Sequence, residues 1–411
     1  MMKSITRFLL TTTSFFGLNQ AFGADVYPIF LERQDGSILE GYFTPPSDKD
    51  SPILFAIQGS SCENILQWHM DLSNQADALG LGVIALEKQG ISQRGIDLAV
   101  YQQTNCLQQR QEDYILCLEN IDRICPDWKG KTIFWGESEG GMIAAHLASQ
   151  VPQTAGVLLF GAGGGMKPRE EVKWALIQRL QQQKAGQEEI EEYMQFLDRQ
   201  MDAMICDPDA NKQFLGNTYK WWASLLTSEE GALSLSQQSL PICLIHGVED
   251  VKIPVQSADL AAEMLSVTNT LTYLRLEGYG HSLDSAAIQK AAYQWLEVVV
   301  LGKKLRNDLS ITQAIASAST AQNTQTGLSE YIFTRGKDKD NNSEGNNEVS
   351  GSAQGNRDSD GNENASVDAT YSHDFGNGWE VEVKGGGSCR KDSEGNIKGE
   401  VHGEVTFSGK F

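Results

Sequence analysis

Residues 131–148 read KTIFWGESEGGMIAAHLA, and this stretch decides the fold. Thr132–Trp135 is a short β-branched and aromatic run of the kind a buried strand needs. Gly136, Gly140 and Gly141 bracket Ser138, and a helix of small residues follows. Strand, glycine-rich turn and helix around G-x-S-x-G predict a serine raised on a sharp bend. The glycines are needed because a Cβ there would clash where the backbone folds back on itself. The helix N-terminus behind the serine offers backbone N–H groups to a developing negative charge. Ser138 is therefore the candidate nucleophile.

Outward from this turn, apolar runs recur at Ile53–Gln58, Gly82–Leu86, Gly156–Phe160, Ile242–His246 and Leu271–Leu276. Helical stretches fall between them, including Leu107–Ile124 and Gly140–Ser149, and a hairpin from Val26 to Phe43 turns at Asp35-Gly36. Such alternation predicts an α/β fold with a mostly parallel sheet over residues 24–302. The stretch from about 167 to 237 shows no strand, is rich in Gln and Glu, and carries Trp221-Trp222. Lying between two sheet strands, it reads as a helical cap over the C-terminal ends of the strands.

A serine nucleophile needs a base, and the base needs an orienting carboxylate. His146 shares the helix of Ser138 and faces away, His373 and His402 lie in the C-terminal tail, and His246 reads as a turn residue packed on its own loop. His281 follows the strand LTYLRLEGYG, at the sheet edge that carries Ser138. Asp250 follows the preceding strand, with Glu249 open as an alternative acid. An oxyanion hole is expected from two backbone N–H groups. One belongs to Glu139, next to the nucleophile; the other comes from Gln58-Gly59-Ser60-Ser61-Cys62, with Ser60 preferred.

Residues from about 50 to 300 resemble the α/β-hydrolase superfamily. GESEGGMIAAHLA, ICLIHGVEDVKIPV and LEGYGHSLD are similar to the nucleophile elbow, acid loop and histidine loop of bacterial exported esterases. Those enzymes stand near serine aminopeptidase-like hydrolases and dienelactone-hydrolase relatives. The resemblance implies Ser138 as nucleophile, His281 as base and Asp250 as orienting acid, acting by acyl transfer to serine and then to water. Tyr219-Lys220-Trp221-Trp222 is similar to an aromatic stretch of the family's cap, which implies substrate contacts for Trp221 and Trp222. The chain departs from the pattern in carrying Gln58-Gly59 where His-Gly is commoner, and in a tail that has no counterpart. Carboxylic-ester cleavage is the expected reaction, with serine aminopeptidase or amidase action open. A peptidase would need a carboxylate to hold the substrate amine, and Glu170, Glu171, Glu188 and Glu189 read as solvated helix faces.

The rest of the chain bounds the setting. With 33 Lys+Arg against 54 Asp+Glu among 411 residues, the formal charge is −21. No basic patch offsets it, so a nucleic-acid partner is excluded. Lys3 and Arg7, the apolar Phe8–Leu18 and the small residues of Ala21-Phe22-Gly23 predict a signal peptide over 1–23, hence a periplasmic or secreted protein. The mature chain has no apolar run long enough to cross a bilayer. Seven cysteines fit export; being odd in number they leave at least one unpaired, and Cys243 reads as a buried thiol in its strand. Cys117 and Cys125, expected on one helix, would be too far apart to bridge. No CxxC spacing occurs, so no metal and no cofactor is expected.

Residues 303–365 are rich in Asn, Asp, Gly and Ser and read as an acidic linker. Asp358–Asn364 looks like a calcium loop, but it lacks the glycine at position six and carries Ala369 at position twelve. Residues 366–411 regain a period of two, as in Trp379, Val381 and Val383, with turns at Gly376-Asn377-Gly378 and Gly395-Asn396. They predict a small antiparallel β-meander. That module motivates a second reading from another class: a surface-binding protein that contacts the cell envelope through 366–411.

Overall fold

The computed structural model describes residues 25–303 and, farther on, the backbone of four strands. Eight strands form the central sheet: β1 (Tyr27–Glu32), β2 (Ile38–Thr44), β3 (Ile53–Ile57), β4 (Gly82–Leu86), β5 (Thr132–Glu137), β6 (Thr154–Phe160), β7 (Pro241–Gly247) and β8 (Thr270–Leu276). Their order across the sheet is β1-β2-β4-β3-β5-β6-β7-β8. The first two form an antiparallel hairpin that pairs Tyr27 with Phe43 and Glu32 with Ile38, and β2 runs antiparallel to β4. From β4 through β3, β5 and β6 to β7 every pairing is parallel.

Every residue of β3 (ILFAI) and β4 (GVIAL) is buried. Runs apolar on both faces belong in a parallel sheet covered by helices on both sides. The helix Glu139–Gln150 packs on β3, β5 and β6, and the helix Leu107–Glu119 packs against it in turn. The sheet reversal at β3 brings the C-terminal ends of β3 and β5 side by side, the place where open α/β sheets put their sites.

Local expectations are corrected in three places. The stretch 107–124 is not one helix: Asn120 ends Leu107–Glu119, its side-chain Nδ2 donating to the Leu116 carbonyl, and a short helix, Ile121–Ile124, follows. An asparagine that bonds its own backbone competes with helix propagation. Cys117 and Cys125 therefore do not share a helix; Cys62, Cys106, Cys117, Cys125, Cys206 and Cys243 are free thiols, with Cys243 fully buried on β7.

The cap contains the helices Pro168–Gln182, Gln187–Cys206, Tyr219–Leu226 and Gly231–Ser236, but also a small hairpin of Gln213–Phe214 with Asn217–Thr218. Leu215 and Gly216 turn it with φ of +46° and +86°, the two positive values a tight hairpin needs. Glu171 is buried rather than solvated; Glu170, Glu188 and Glu189 are exposed.

The third correction concerns the tail. Its strands β9 (Glu348–Arg357), β10 (Glu363–Asp374), β11 (Trp379–Lys391) and β12 (Ile397–Gly409) form a four-stranded antiparallel sheet in sequence order. The first of them lies inside the stretch read as a linker. Its sequence, EVSGSAQGNR, lacks large apolar side chains, yet a ladder needs only backbone N–H and C=O groups. The signal segment 1–23, most of the linker and both turns of the tail lie outside the described residues. Among the described residues no helix is long and apolar enough to cross a membrane.

Candidate active site

Ser138 stands between β5 and the helix Glu139–Gln150 with φ +54° and ψ −121°. A non-glycine residue in this conformation carries about 1–3 kcal/mol of strain and persists only where its surroundings enforce it. The Ser138 N–H donates to the Phe160 carbonyl at 2.8 Å, and the Gly141 N–H donates to the Ser138 carbonyl at 2.9 Å. The glycines matter through space: a Cβ on Gly140 would lie 2.0 Å from the Ile57 carbonyl oxygen, and one on Gly136 would lie 2.4 Å from the Gly140 oxygen. The bend closes only because these three turns of chain touch backbone to backbone.

The structure brings together the three side chains read from the sequence. His281 Nε2 lies 3.0 Å from Ser138 Oγ, and His281 Nδ1 lies 2.7 Å from Asp250 Oδ2. Asp250 is buried, and its Oδ1 accepts the backbone N–H groups of Lys252 at 2.8 Å and Ile253 at 3.0 Å. Burial works to raise its pKa, but the His281 hydrogen bond and charge, joined by those two N–H groups, hold the carboxyl below the ordinary aspartate value. Glu249, the alternative acid, is exposed, and its N–H donates to the Tyr279 carbonyl at 2.9 Å. That bond laces the acid loop to the histidine loop. Gly247 permits the approach, since a Cβ there would lie 2.3 Å from the Tyr279 and Gly280 oxygens.

His246 is fully buried, with Nε2 at 3.2 Å from the Ile253 carbonyl and 3.5 Å from Asp250 Oδ2. Burial pushes its pKa down against the upward pull of the Asp250 carboxylate. His146 is tied away from the site, between Gln111 and the Glu229 carbonyl.

Glu139 is the first residue of its helix, so its N–H has no partner within the helix. Opposite it, Gly59 abuts the serine: a Cβ on Gly59 would lie 3.2 Å from Ser138 Cβ. Ser60 is exposed, and its carbonyl accepts the Tyr101 hydroxyl at 3.3 Å.

Sequence reading missed what holds these groups. Lys88, two residues past the end of β4, is buried and donates to Gln58 Oε1 at 3.0 Å, to the Gly59 carbonyl at 2.6 Å and to the Ser61 carbonyl. Burial, joined by the charge of Arg110, pulls the Lys88 ammonium down to about 7 against the upward pull of Glu139, Cys62 and Glu87. Arg110 is also buried; it meets Glu139 Oε1 at 2.5 Å and the Gln58 carbonyl at 2.5 Å. Its signal was available, because Arg110 sits in the buried stripe Leu107, Arg110, Tyr114, Cys117 of an amphipathic helix.

Trp221 and Trp222, expected to meet substrate, are buried in a cluster with Met204 and Tyr219. The Trp221 indole N–H donates to Glu139 Oε2 at 2.6 Å, and that of Trp222 donates to the Phe214 carbonyl at 2.7 Å. Trp221 thus reaches the serine turn through Glu139. Among the described residues, no group of His, Cys, Asp and Glu side chains could hold a metal ion.

No family model matches the chain, and no curated protein matches its sequence. Solved structures do match it. A puromycin hydrolase is 16% identical with a TM-score of 0.50, over 70% of this chain and 41% of that one. A thermostable carboxyl esterase from Bacillus coagulans is 14% identical with a TM-score of 0.49, over 67% of this chain and 98% of that one. Est1E from Butyrivibrio proteoclasticus is 13% identical with a TM-score of 0.48, over 67% and 99%. With the eight-stranded order and the serine bend between β5 and its helix, the likeness to puromycin hydrolase identifies the architecture: this chain has the α/β-hydrolase fold.

Proposed function

We propose that the chain is a serine hydrolase that cleaves carboxylic esters through an acyl-enzyme. The observation that carries this reading is the unbroken chain from Ser138 Oγ through the His281 ring to Asp250. His281 Nε2 takes the Ser138 proton as Oγ attacks the ester carbonyl, while Asp250 at Nδ1 fixes the tautomer and stabilises the imidazolium. The Glu139 and Ser60 N–H groups receive the oxyanion, and His281 then protonates the departing alcohol. Water, deprotonated by the same imidazole, releases the acid and restores Ser138.

Ester cleavage is favoured over aminopeptidase action by the state of the cap carboxylates. Glu170, Glu188 and Glu189 are exposed, and Glu171 is buried but already accepts Ser257 Oγ and the Gly164 N–H. The test is turnover of short acyl p-nitrophenyl esters against aminoacyl p-nitroanilides, by wild type and by Ser138→Ala. Ester turnover lost in the variant is expected. Faster cleavage of the anilides would move the assignment to a peptidase, and equal turnover by the variant would end it.

A further inference from the structure

The two backbone segments assigned above to the oxyanion are joined by side chains that never reach the reacting atoms. We infer that Lys88 and Arg110 are positioning residues that set and polarise the oxyanion-binding amides, Lys88 from behind the 58–61 loop and Arg110 by tying that loop to Glu139. The inference rests on the serine-hydrolase reading and adds to it the part that holds the hole in shape.

The geometry follows from the planar peptide. In a trans peptide the carbonyl and the next residue's N–H point in opposite directions. The described residues contain no cis bond. Lys88 Nζ grips the Gly59 carbonyl at 2.6 Å, so the Ser60 N–H of that same peptide points away from Lys88. Arg110 grips the Gln58 carbonyl at 2.5 Å and fixes the Gly59 N–H in the same manner. The Arg110 guanidinium on the Gln58 carbonyl also draws electrons from that amide and strengthens its N–H as a donor. Gly59 is the residue that abuts Ser138, so these amides stand beside the nucleophile.

Arg110 does a second job with its other nitrogen. It meets Glu139 Oε1 at 2.5 Å while the Trp221 indole holds Oε2 at 2.6 Å. Glu139 carries the other expected donor on its own backbone. One guanidinium thus spans the two walls of the hole, and its five fixed donors suit that span better than a lysine would. Lys88, Arg110 and Glu139 are 3, 4 and 5% exposed, so water does not weaken these contacts. Gln58 joins the frame by its side chain, since its Oε1 accepts from Lys88 at 3.0 Å. This gives a role to the glutamine found where the family commonly carries histidine.

The test uses the full chain and counts competent sites by fluorophosphonate titration, so that turnover is expressed per reactive serine. Lys88→Met and Arg110→Lys are compared with wild type for kcat, KM and inhibition by a trifluoromethyl ketone that mimics the tetrahedral adduct. Deleting a direct oxyanion donor costs about 10²–10³ in rate; misaiming one costs less, so kcat should fall about 10- to 100-fold. KM should stay within about threefold, and the ketone should bind more weakly by the same factor as kcat falls. Lys88→Arg, which keeps the charge, should recover part of the loss. If Lys88→Met does not fold, Arg110→Lys and Lys88→Arg still decide the matter. Turnover per titrated serine within twofold of wild type in the folded variants, whatever their melting temperature, overturns the inference and leaves the serine-hydrolase reading standing. Failure of wild type to label at Ser138 overturns both.

Discussion

Replacing Gly140 by alanine tests the geometry of the serine bend at its tightest contact. On an open helix the change would stabilise, because glycine costs about 1 kcal/mol relative to alanine. Here the new Cβ would stand 2.0 Å from the Ile57 oxygen, 2.7 Å from the Ile57 carbonyl carbon and 2.8 Å from the Gln58 oxygen. All three are backbone atoms, so no side chain can rotate away. Relief to an ordinary carbon–oxygen contact of about 3.3 Å needs a shift of about 1.3 Å between the helix and the end of β3. Overpacking of this kind costs about 3 kcal/mol, the upper end for an inserted methyl group, or about 6 °C in Tm for a domain of this size. The same shift moves the Glu139 N–H away from the 58–61 loop, and a displacement of about 1 Å at a reacting site can cost about 10² in rate. Calorimetry and titrated turnover read the two effects separately. Gly186→Ala is the control, since a Cβ there meets nothing within 4 Å; it should change stability by no more than about 1 kcal/mol and leave turnover normal. A Gly140→Ala protein as stable and active as wild type would refute the backbone-to-backbone account of the bend.

Two further outcomes follow from the same structure. Asp250→Asn should lower kcat by at least about 10³, since the amide no longer fixes the His281 tautomer, whereas Glu249→Gln should stay within about twofold; steady-state kinetics showing the reverse order would transfer the acid role to Glu249. Glu171 supplies a pH dependence: burial pushes its carboxyl from 4.5 up to about 7 despite its Ser257 and Gly164 bonds. The folded state therefore holds a proton that the unfolded chain has lost, and this contribution to stability is complete below about pH 4.5 and is lost as pH rises through about 7. Glu171→Gln should remove a slope worth about 3 kcal/mol, so that its denaturation midpoint gains on wild type between pH 4.5 and 8; parallel midpoints across that range would rule the buried carboxyl out.

The legible parts of this chain were those written as periodicity or as residues at strand ends. ILFAI, GVIAL and the other apolar runs announce parallel strands because a sheet buried on both faces admits little else. Ser138, Asp250 and His281 could be named because each lies in the loop just past such a run, and the parallel sheet collects those loops at one edge. What escaped was set by backbone conformation or by distant partners. The Leu215-Gly216 turn depends on a positive φ at a leucine, which no residue preference announces. Strand β9 pairs with β10 through its backbone ladder, which a sequence without large apolar residues does not announce. Lys88 and Arg110 acquire their role only when the 58–61 loop folds over them. The resemblance to the family's cap implies a substrate contact for Trp221, and it carries no signal that the indole N–H donates to Glu139.

The most direct measurement is the mass of the purified protein after exposure to a fluorophosphonate, for wild type beside Ser138→Ala. Wild type should carry a single stoichiometric adduct, located by peptide mapping in the fragment that carries Ser138, and the variant none. A folded wild-type protein that stays unlabelled, or a variant that labels equally well, would contradict the serine-hydrolase reading.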